Sequence, residues 1–115
     1  MTARTITIDC ADPDDLAAWW AKTLDGSVQS VYPGWFVIVS VRPINLAFQK
    51  VPEDKVGKNR VHVDFSADDR EAAVSRLVDS GATVVGEHSV PSGFTWTVLQ
   101  DPAGNEFCVA TEPEG

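Results

Sequence analysis

Apolar and polar residues alternate at the start of the chain. In RTITIDC (4–10), Ile6 and Ile8 fall on one face and the threonines on the other, which predicts a half-buried strand. Three further β-rich runs follow in the region of residues 28–50: SVQSVY, WFVIVSV and INLAFQKV. Pro-Gly and Arg-Pro pairs separate these runs, so they predict three short strands.

A helix is predicted between the first two strands. Asp12 can cap the free N–H groups of its first turn, Pro13 suits that turn, and Gly26 is placed to end the helix. Its apolar stripe consists of Leu16, Trp19, Trp20 and Leu24. The first half of the chain is therefore predicted to have the order β-α-β-β-β.

The same order recurs in the second half. RVHVDF (60–65) alternates: its apolar face carries Val61, Val63 and Phe65, and its polar face carries His62 and Asp64. SADDREAAVSRLVDSGA is predicted to be a helix, capped by Asp68 or Ser66 and ended by Gly81. ATVVGEH, FTWTVLQ and NEFCVAT are predicted strands, with a tight turn at DPAGN between the last two.

A sequence echo supports two related halves. A shift of 55 residues aligns Asp9 with Asp64 and Gly26 with Gly81. Repeats that cannot bury an apolar face alone are expected to pack together. We therefore predict one domain over residues 1–115, with a first module at 4–50, a linker at 51–59 and a second module at 60–111. The last four residues are expected to fray.

Composition narrows the class of protein. With 115 residues, 43% of them hydrophobic and 23% charged, the chain can bury the core of one globular domain. The net charge of −8 disfavours nucleic acid, because phosphates would be repelled. No apolar run approaches the ~20 residues of a membrane helix, and the N-terminus lacks the apolar stretch of a signal peptide. We expect a cytoplasmic protein without a nucleic-acid or membrane partner, in which Cys10 and Cys108 stay reduced.

A resemblance to a known superfamily rests on three segments. They are DPDDLAAWWAKTLDG, RVHVDFSADDREAAVSRLVDSGA and DPAGNEFCV, the last with a DP-x-G-N turn. These segments resemble the vicinal oxygen chelate superfamily, which includes glyoxalase I, bleomycin resistance proteins and extradiol dioxygenases. FQKVPEDKVGKNRVHVDF further resembles its glyoxalase-like domain branch. The resemblance implies an α+β fold in which two βαβββ modules form a curled, open mixed-sheet barrel with the helices outside. It also implies a homodimer.

The resemblance also implies which side chains face a ligand cleft. The residues expected to face the helices instead are Ile6, Ile8, Val61, Val63, Phe65, Phe107 and Val109. The residues expected to face the cleft are Thr5, Thr7, His62, Asp64, Glu106 and Cys108.

Metal-using members of the superfamily hold a divalent ion with four ligands of the His or Glu type. In this chain the four positions fall on Thr5 or Thr7, Ala47 or Gln49, His62, and Cys108, with Glu106 two residues before Cys108. Only His62 is a clear ligand, whereas a catalytic zinc takes about three ligands from the protein. We therefore expect no cofactor, and a divalent metal held partly by His62 is the alternative.

His62 and Asp64 are one residue apart on a predicted strand, so both project from the same face. The pair can be a general base with its orienting carboxylate, because imidazole titrates near neutral pH. Equally, Asp64 can cap the following helix while His62 forms a hydrogen bond inside the barrel. Both interpretations stay open at this point.

Aromatic and basic residues supply further candidates. Trp35, Phe94 and Trp96 can border a cleft, where flat side chains suit flat or sugar-bearing ligands, or they can be core residues. The candidates for ligand binding are Thr5, Thr7, Gln49, Trp96, Glu106 and Cys108. Lys50, Lys55, Lys58 and Arg60 crowd the linker, where they can attract a carboxylate or phosphate or simply be solvated.

Three functions follow as hypotheses. The first is a metal-independent small-molecule-binding protein, similar to the bleomycin resistance branch. The second is a metal-independent isomerase or lyase that uses His62. The third is a glyoxalase-type metalloenzyme with an incomplete ligand set. The fold does not choose among them, because one scaffold can host many chemistries. The missing ligands favour the first.

Overall fold

The structure, a computed structural model, describes residues 1–111. Residues 112–115, which the sequence predicts to fray, lie outside the described part of the chain. The chain folds into two compact units, one formed by Met1–Val56 and one that begins at Gly57. Each unit contains one helix and one four-stranded sheet.

The first unit has the predicted order of elements. They are β1 (Thr5–Cys10), α1 (Pro13–Leu24), β2 (Ser27–Tyr32), β3 (Phe36–Ser40) and β4 (Asn45–Lys50). Across the sheet the strand order is β1-β4-β3-β2, with β1 parallel to β4 and the other pairs antiparallel. The fully buried side chains of this sheet include Val37, Val39 and Phe48.

α1 begins at the predicted cap. The side chain of Asp12 accepts a hydrogen bond from the backbone N–H of Asp15 at 3.2 Å. Leu16 and Trp20 are buried, as expected for an amphipathic helix that packs on a sheet. Within residues 1–111, neither helix is long and apolar enough to cross a membrane.

The end of α1 is built differently from the prediction. Asp25, not Gly26, takes the left-handed conformation that closes the helix, with φ at 53°. Gly26 is required by space instead, because an added Cβ would lie 2.7 Å from Cγ1 of Val41 and 2.9 Å from the carbonyl oxygen of Ser40. The two residues together turn the chain from α1 into β2.

The second unit repeats the order of the first. Its elements are β5 (Asp64–Ala67), α2 (Arg70–Asp79), β6 (Thr83–Ser89), β7 (Thr95–Gln100) and β8 (Glu106–Thr111). The strand order is β5-β8-β7-β6, again with one parallel pair, β5 with β8. The α+β class with two βαβββ modules is confirmed.

β5 starts later than the alternation in residues 60–65 predicts. Its ladder with β8 begins at the hydrogen bond from the N–H of Cys108 to the carbonyl of Val63. The next carbonyl that a longer parallel ladder would use, that of Glu106, accepts from the side chain of Asn59 at 3.0 Å. Residues before Val63 therefore leave the sheet, and Val61 is 72% exposed. The prediction that Val61 faces the helix is wrong.

The cap of α2 also differs from the prediction. Asp69 caps the helix, accepting from the N–H of Ala72 at 3.0 Å, rather than Asp68 or Ser66. Asp64 does not cap it either. The two equivalent caps, Asp12 and Asp69, are 57 residues apart. The structural repeat is thus two residues longer than the echo of 55 residues in the sequence.

The turn between β7 and β8 depends on one buried carboxylate. Asp101 is 4% exposed and accepts from the N–H groups of Ala103 and Asn105, both at 2.9 Å. It also accepts from the Asn105 side-chain amide at 3.2 Å. The predicted DPAGN turn is therefore present, held by its first residue.

Candidate functional site

The second sheet has one face that packs on α2 and one that faces away from it. Arg70, at the start of α2, donates to the hydroxyl of Thr97 at 2.7 Å, which marks the α2 side of β7. Thr97 and Leu99 are buried on that side. Because side chains alternate along a strand, Trp96 and Val98 project from the other side. We call this side the face opposite α2. Its further members are Asp64, Glu106, Cys108 and His88, by strand register.

His62 and Asp64 meet on this face. Nδ1 of His62 lies 2.8 Å from Oδ1 of Asp64, and the two side chains are 46% and 68% exposed. A carboxylate can only accept hydrogen bonds, so the neutral imidazole carries its proton on Nδ1 and donates it to Asp64. The other ring nitrogen, Nε2, is then the basic one. This is the arrangement of a base with an orienting carboxylate.

Cys108 completes the cluster from the neighbouring strand, where it is the direct partner of Asp64. Burial raises the pKa of its thiol above the ordinary value. The negative charge of Asp64 and a hydrogen bond from the thiol to that carboxylate raise the pKa further. The thiol is therefore protonated at neutral pH and acts as a hydrogen-bond donor, not as a nucleophile.

The same three residues form a set of possible metal ligands. One ligand atom each from His62, Asp64 and Cys108 lies within 4.8 Å of the others. An imidazole nitrogen, a carboxylate oxygen and a thiolate are donors that Zn²⁺ accepts, and three protein ligands suffice for a catalytic zinc. The donor types therefore fit zinc. Binding would require Cys108 to lose its proton, which its raised pKa opposes.

Two charged residues lie close to this cluster. The negative charge of Glu106 also raises the pKa of Cys108, whereas the positive charge of Lys58 lowers it. Lys58 precedes Asn59, whose side chain donates a hydrogen bond to the carbonyl of Glu106. The basic linker segment therefore ends beside the cluster.

Trp96 belongs to an aromatic stack on the same face. Its ring centroid lies 5.5 Å from that of His88, with the two planes 28° apart. The ring centroid of Trp96 also lies 5.9 Å from that of Phe94, with the two planes 32° apart. His88 is exposed and Phe94 is 46% exposed. We call His88, Trp96 and Phe94 the aromatic stack.

The other predicted ligand-binding residues lie in the first unit. Thr5 and Thr7 alternate on β1, and Gln49 lies on β4, where it pairs with Asp9. Thr7 lies 57 residues before Asp64, which is also the spacing of the two helix caps, so the two residues occupy equivalent positions. Thr7 pairs with Ala47, and Asp64 pairs with Cys108. The positions that carry a carboxylate and a thiol in the second unit thus carry a hydroxyl and a methyl group in the first.

Comparison with known proteins identifies the family. The glyoxalase-like domain family matches residues 5–110. This chain belongs to that family. The match covers both βαβββ modules and therefore confirms the resemblance that the sequence predicts. No curated protein matches the chain.

Solved structures share the fold of this glyoxalase-like domain at low sequence identity. A glyoxalase/bleomycin resistance protein/dioxygenase family enzyme from Burkholderia phytofirmans PsJN is 17% identical with a TM-score of 0.78, over 93% of this chain and 95% of that one. A superfamily member from Sphaerobacter thermophilus is 20% identical with a TM-score of 0.75, over 97% and 98%. Lactoylglutathione lyase from Agrobacterium tumefaciens is 19% identical with a TM-score of 0.73, over 96% and 92%.

His88 is the member of this glyoxalase-like domain site that the sequence did not point to. The strand register shifts between Val84 and Gly86, which marks a β-bulge. Val84 pairs with Leu99 on the α2 side, so strict alternation would place His88 on that side too. After the bulge the side chains of β6 alternate in the opposite sense, so His88 pairs with Trp96 on the face opposite α2. The glycine in VVGEH was the available signal, because an isolated glycine in a strand often marks a bulge.

Proposed function

We propose that this glyoxalase-like domain binds a small organic molecule on the face opposite α2, and that it does so without a metal ion. The observation that supports this is the contact of 2.8 Å between His62 and Asp64. The contact directs one nitrogen of the imidazole to the carboxylate and leaves Nε2 to accept a hydrogen bond or a proton from a ligand. Cys108 adds a donor beside it.

Catalysis by the same pair is the stronger form of this proposal. A base that takes a proton from one ligand atom and returns it to another atom of the same ligand performs an isomerisation without a cofactor. In an elimination the base takes the proton while a leaving group departs with its electron pair, and the resulting imidazolium returns the proton to that leaving group. The orientation of His62 by Asp64 and the exposure of both side chains favour such a step. Both proposals use the same residues, so only a measurement of turnover distinguishes catalysis from binding.

Ligand-detected NMR against a fragment library, with the protein kept in EDTA, tests the binding proposal. We expect bound fragments to shift the ring signals of His62, and we expect His62→Ala to weaken their binding at least about tenfold, the equivalent of one charge-assisted hydrogen bond. Asp64→Asn should weaken fragment binding as well. An amide can donate as well as accept a hydrogen bond, so it no longer holds the imidazole proton on Nδ1 and Nε2 is no longer kept free as an acceptor.

Asp9→Asn is the matched control, because it removes a carboxylate from an exposed strand position of the first unit. It should leave binding unchanged. Fragments that bind wild-type protein and His62→Ala equally would overturn the proposal. If a turned-over ligand is found, His62→Gln that binds it without turnover supports catalysis, and retained turnover rejects it.

A metal-dependent function is the second candidate, since three donor atoms of His62, Asp64 and Cys108 lie within 4.8 Å. A bound Zn²⁺ would supply a Lewis acid at this face. These residues would hold the ion once Cys108 has lost its proton.

Titration with Co²⁺ tests this candidate without any assay of activity. A thiolate ligand gives an intense charge-transfer absorption in the near ultraviolet, which we expect to disappear in Cys108→Ser. Cys10→Ala, which removes the cysteine of the first unit, should keep it. Absence of this band in wild-type protein would reject Cys108 as a ligand and favour the metal-independent proposal.

A further inference from the structure

β6 pairs with β7 in two registers that differ by one residue. Val84 pairs with Leu99, whereas Glu87, three residues later, pairs with Thr97, two residues earlier. Val85 is therefore the extra residue of the bulge. Because a bulge reverses the side taken by every side chain that follows it, its position decides which residues of β6 face α2 and which face away.

The turn of the hairpin fixes the second of these registers. Val90 donates a backbone hydrogen bond to Phe94 at 3.0 Å and accepts one from Gly93 at 2.9 Å, around the loop of residues 91–93. Gly93 has a φ of 94°, and a left-handed residue is typical of the last position of a three-residue hairpin loop. The turn therefore requires one extra residue in β6, but it does not choose which one.

Burial does not choose the extra residue either. β6 lies at the edge of its sheet, and every residue of β6 except Gly86 is exposed. Strand register is only weakly specified where neither face of a strand is buried. Gly86 does not take a positive φ, so the backbone of this glycine does not require the bulge beside it. Another contact must hold the bulge at its observed position.

A bulge nearer the turn would change the chemistry of the face opposite α2. The first register would then continue as far as His88, so that Glu87 would pair with Trp96 and His88 would lie on the α2 side. Val85 would pair with Val98, and cross-strand pairs of β-branched residues stabilise sheets. A carboxylate would replace the imidazole in the aromatic stack.

One contact on the α2 side belongs to the observed position of the bulge alone. Arg70, the first residue of α2, donates from Nη1 to the hydroxyl of Thr97 at 2.7 Å, and the same nitrogen lies 3.6 Å from Oε2 of Glu87. The side chain of Arg70 is only 11% exposed. Moving the bulge would take the carboxylate of Glu87 to the other face and leave a largely buried cation without this partner, which is unfavourable.

We propose that Arg70 is a positioning residue for His88. By holding Glu87 beside Thr97, it keeps the bulge at Val85 and the imidazole of His88 on the face opposite α2. Glu87 and His88 are neighbours on a strand, so only one of them can face that side at a time. This inference goes beyond the proposed function, because it states which side chain β6 presents there, whatever that face binds.

NMR of the full chain tests this role in the variant Arg70→Gln. In wild-type protein we expect nuclear Overhauser effects between the rings of His88 and Trp96. In Arg70→Gln we expect a second state, populated above about 1% and detected by chemical exchange saturation transfer. Its shifted signals should be confined to residues 84–90 and their partners at 94–99. Arg76→Gln, the same substitution at an exposed position of α2, is the matched control and should not produce this state.

The partner of the contact gives an independent variant. Glu87→Gln removes the same charge from a side chain that is 60% exposed, so it should keep the fold and show the same second state. Combining it with Arg70→Gln should not raise the population of that state further, because either change alone removes the contact.

Deletion of Val85 separates this role from a general structural one. The deletion removes the extra residue, so the two registers become one and His88 stays opposite α2 without the contact. In this background Arg70→Gln should no longer produce the second state. A deletion variant that does not fold would contradict the assignment of Val85 as the extra residue.

The proposal is overturned if Glu87→Gln shows only the pairing of the wild-type protein, and this holds even if Arg70→Gln does not fold. A second state that appears in Arg70→Gln both with and without Val85 would also overturn it, because the effect of Arg70 would then not depend on the bulge.

Discussion

At the scale of single residues, the site depends on how neighbouring groups share protons. Asp64 accepts from His62 and from the thiol of Cys108, so one carboxylate fixes which imidazole nitrogen carries the proton and adds to the burial that raises the pKa of the thiol. Burial and, after it, this carboxylate keep Cys108 protonated, and this protonation separates a hydrogen-bonding role from a metal-binding one. The protonation of Cys108 is therefore the property to measure first.

The reactivity of Cys108 should be shifted to high pH. Because its pKa is raised, the rate of alkylation by iodoacetamide should reach half its maximum at higher pH than in an unstructured cysteine peptide. Asp64→Asn removes a charge and a hydrogen bond that favour the protonated thiol, so the profile should move to lower pH. Peptide mapping by mass spectrometry separates Cys108 from Cys10.

Asp79→Asn, at the end of α2, serves as the control for this measurement and should leave the profile in place. An Asp64→Asn profile that coincides with wild type would show that Asp64 does not act on the thiol.

At the scale of elements, the strands and helices follow from local patterns, but their ends follow from single hydrogen bonds. Asn59 takes the carbonyl of Glu106 and delays the start of β5. Asp69 caps α2, although two other residues near the helix start are also typical capping residues. Such competition between adjacent candidates explains why boundaries are less predictable than elements.

The cap of α2 gives a direct test of this competition. Asp69→Ala should destabilise the fold by about 1 kcal/mol, because the N–H of Ala72 loses its acceptor. Asp68→Ala, one residue earlier and with no capping bond to α2, should cost less than about 0.5 kcal/mol. Urea unfolding followed by circular dichroism measures both. Equal losses would contradict the assignment of the cap.

The β7–β8 turn should depend on Asp101. Asp101→Ala leaves the N–H groups of Ala103 and Asn105 without their buried acceptor and should cost about 3 kcal/mol. Asp101→Asn keeps the shape and one acceptor oxygen, so it should cost less. The free energies of unfolding in urea give both values, and an alanine variant as stable as wild type would show that the turn forms without this carboxylate.

At the scale of the whole molecule, two modules share an architecture but not their chemistry. Both have the order βαβββ and one parallel pair, formed by an edge strand and its neighbour. Thr7 and Ala47 stand in the first unit where Asp64 and Cys108 stand in the second. The duplicated fold therefore supplies two sites for side chains, and only the second carries titratable groups at these positions.

An exposed edge strand of the first unit indicates that two copies of the chain associate. β2 is an edge strand with all six residues exposed, among them Val28, Val31 and Tyr32. Exposed apolar edge strands favour pairing with another chain. We expect a homodimer of twice the chain mass of 12.4 kDa in light scattering after size exclusion.

A charge on this edge should disrupt the dimer. Val28→Lys should shift the protein toward monomer, whereas Val61→Lys, at an exposed position outside any strand, should not. A wild-type protein that remains monomeric at high concentration would contradict the prediction, as would a dimer unaffected by Val28→Lys.

The sequence by itself determined the order of elements, because alternation and turn residues are local properties of the chain. Its resemblance to a known family determined the family and, with it, the α+β class. The sequence also placed His62 and Asp64 on one face, because they are one residue apart on an extended segment. Only the tertiary structure decided that Cys108 joins them, that Asp69 caps α2 and that His88 stacks on Trp96. These contacts depend on strand register, on a β-bulge and on which of several polar groups takes a shared partner, and residues far apart in the chain settle each of these.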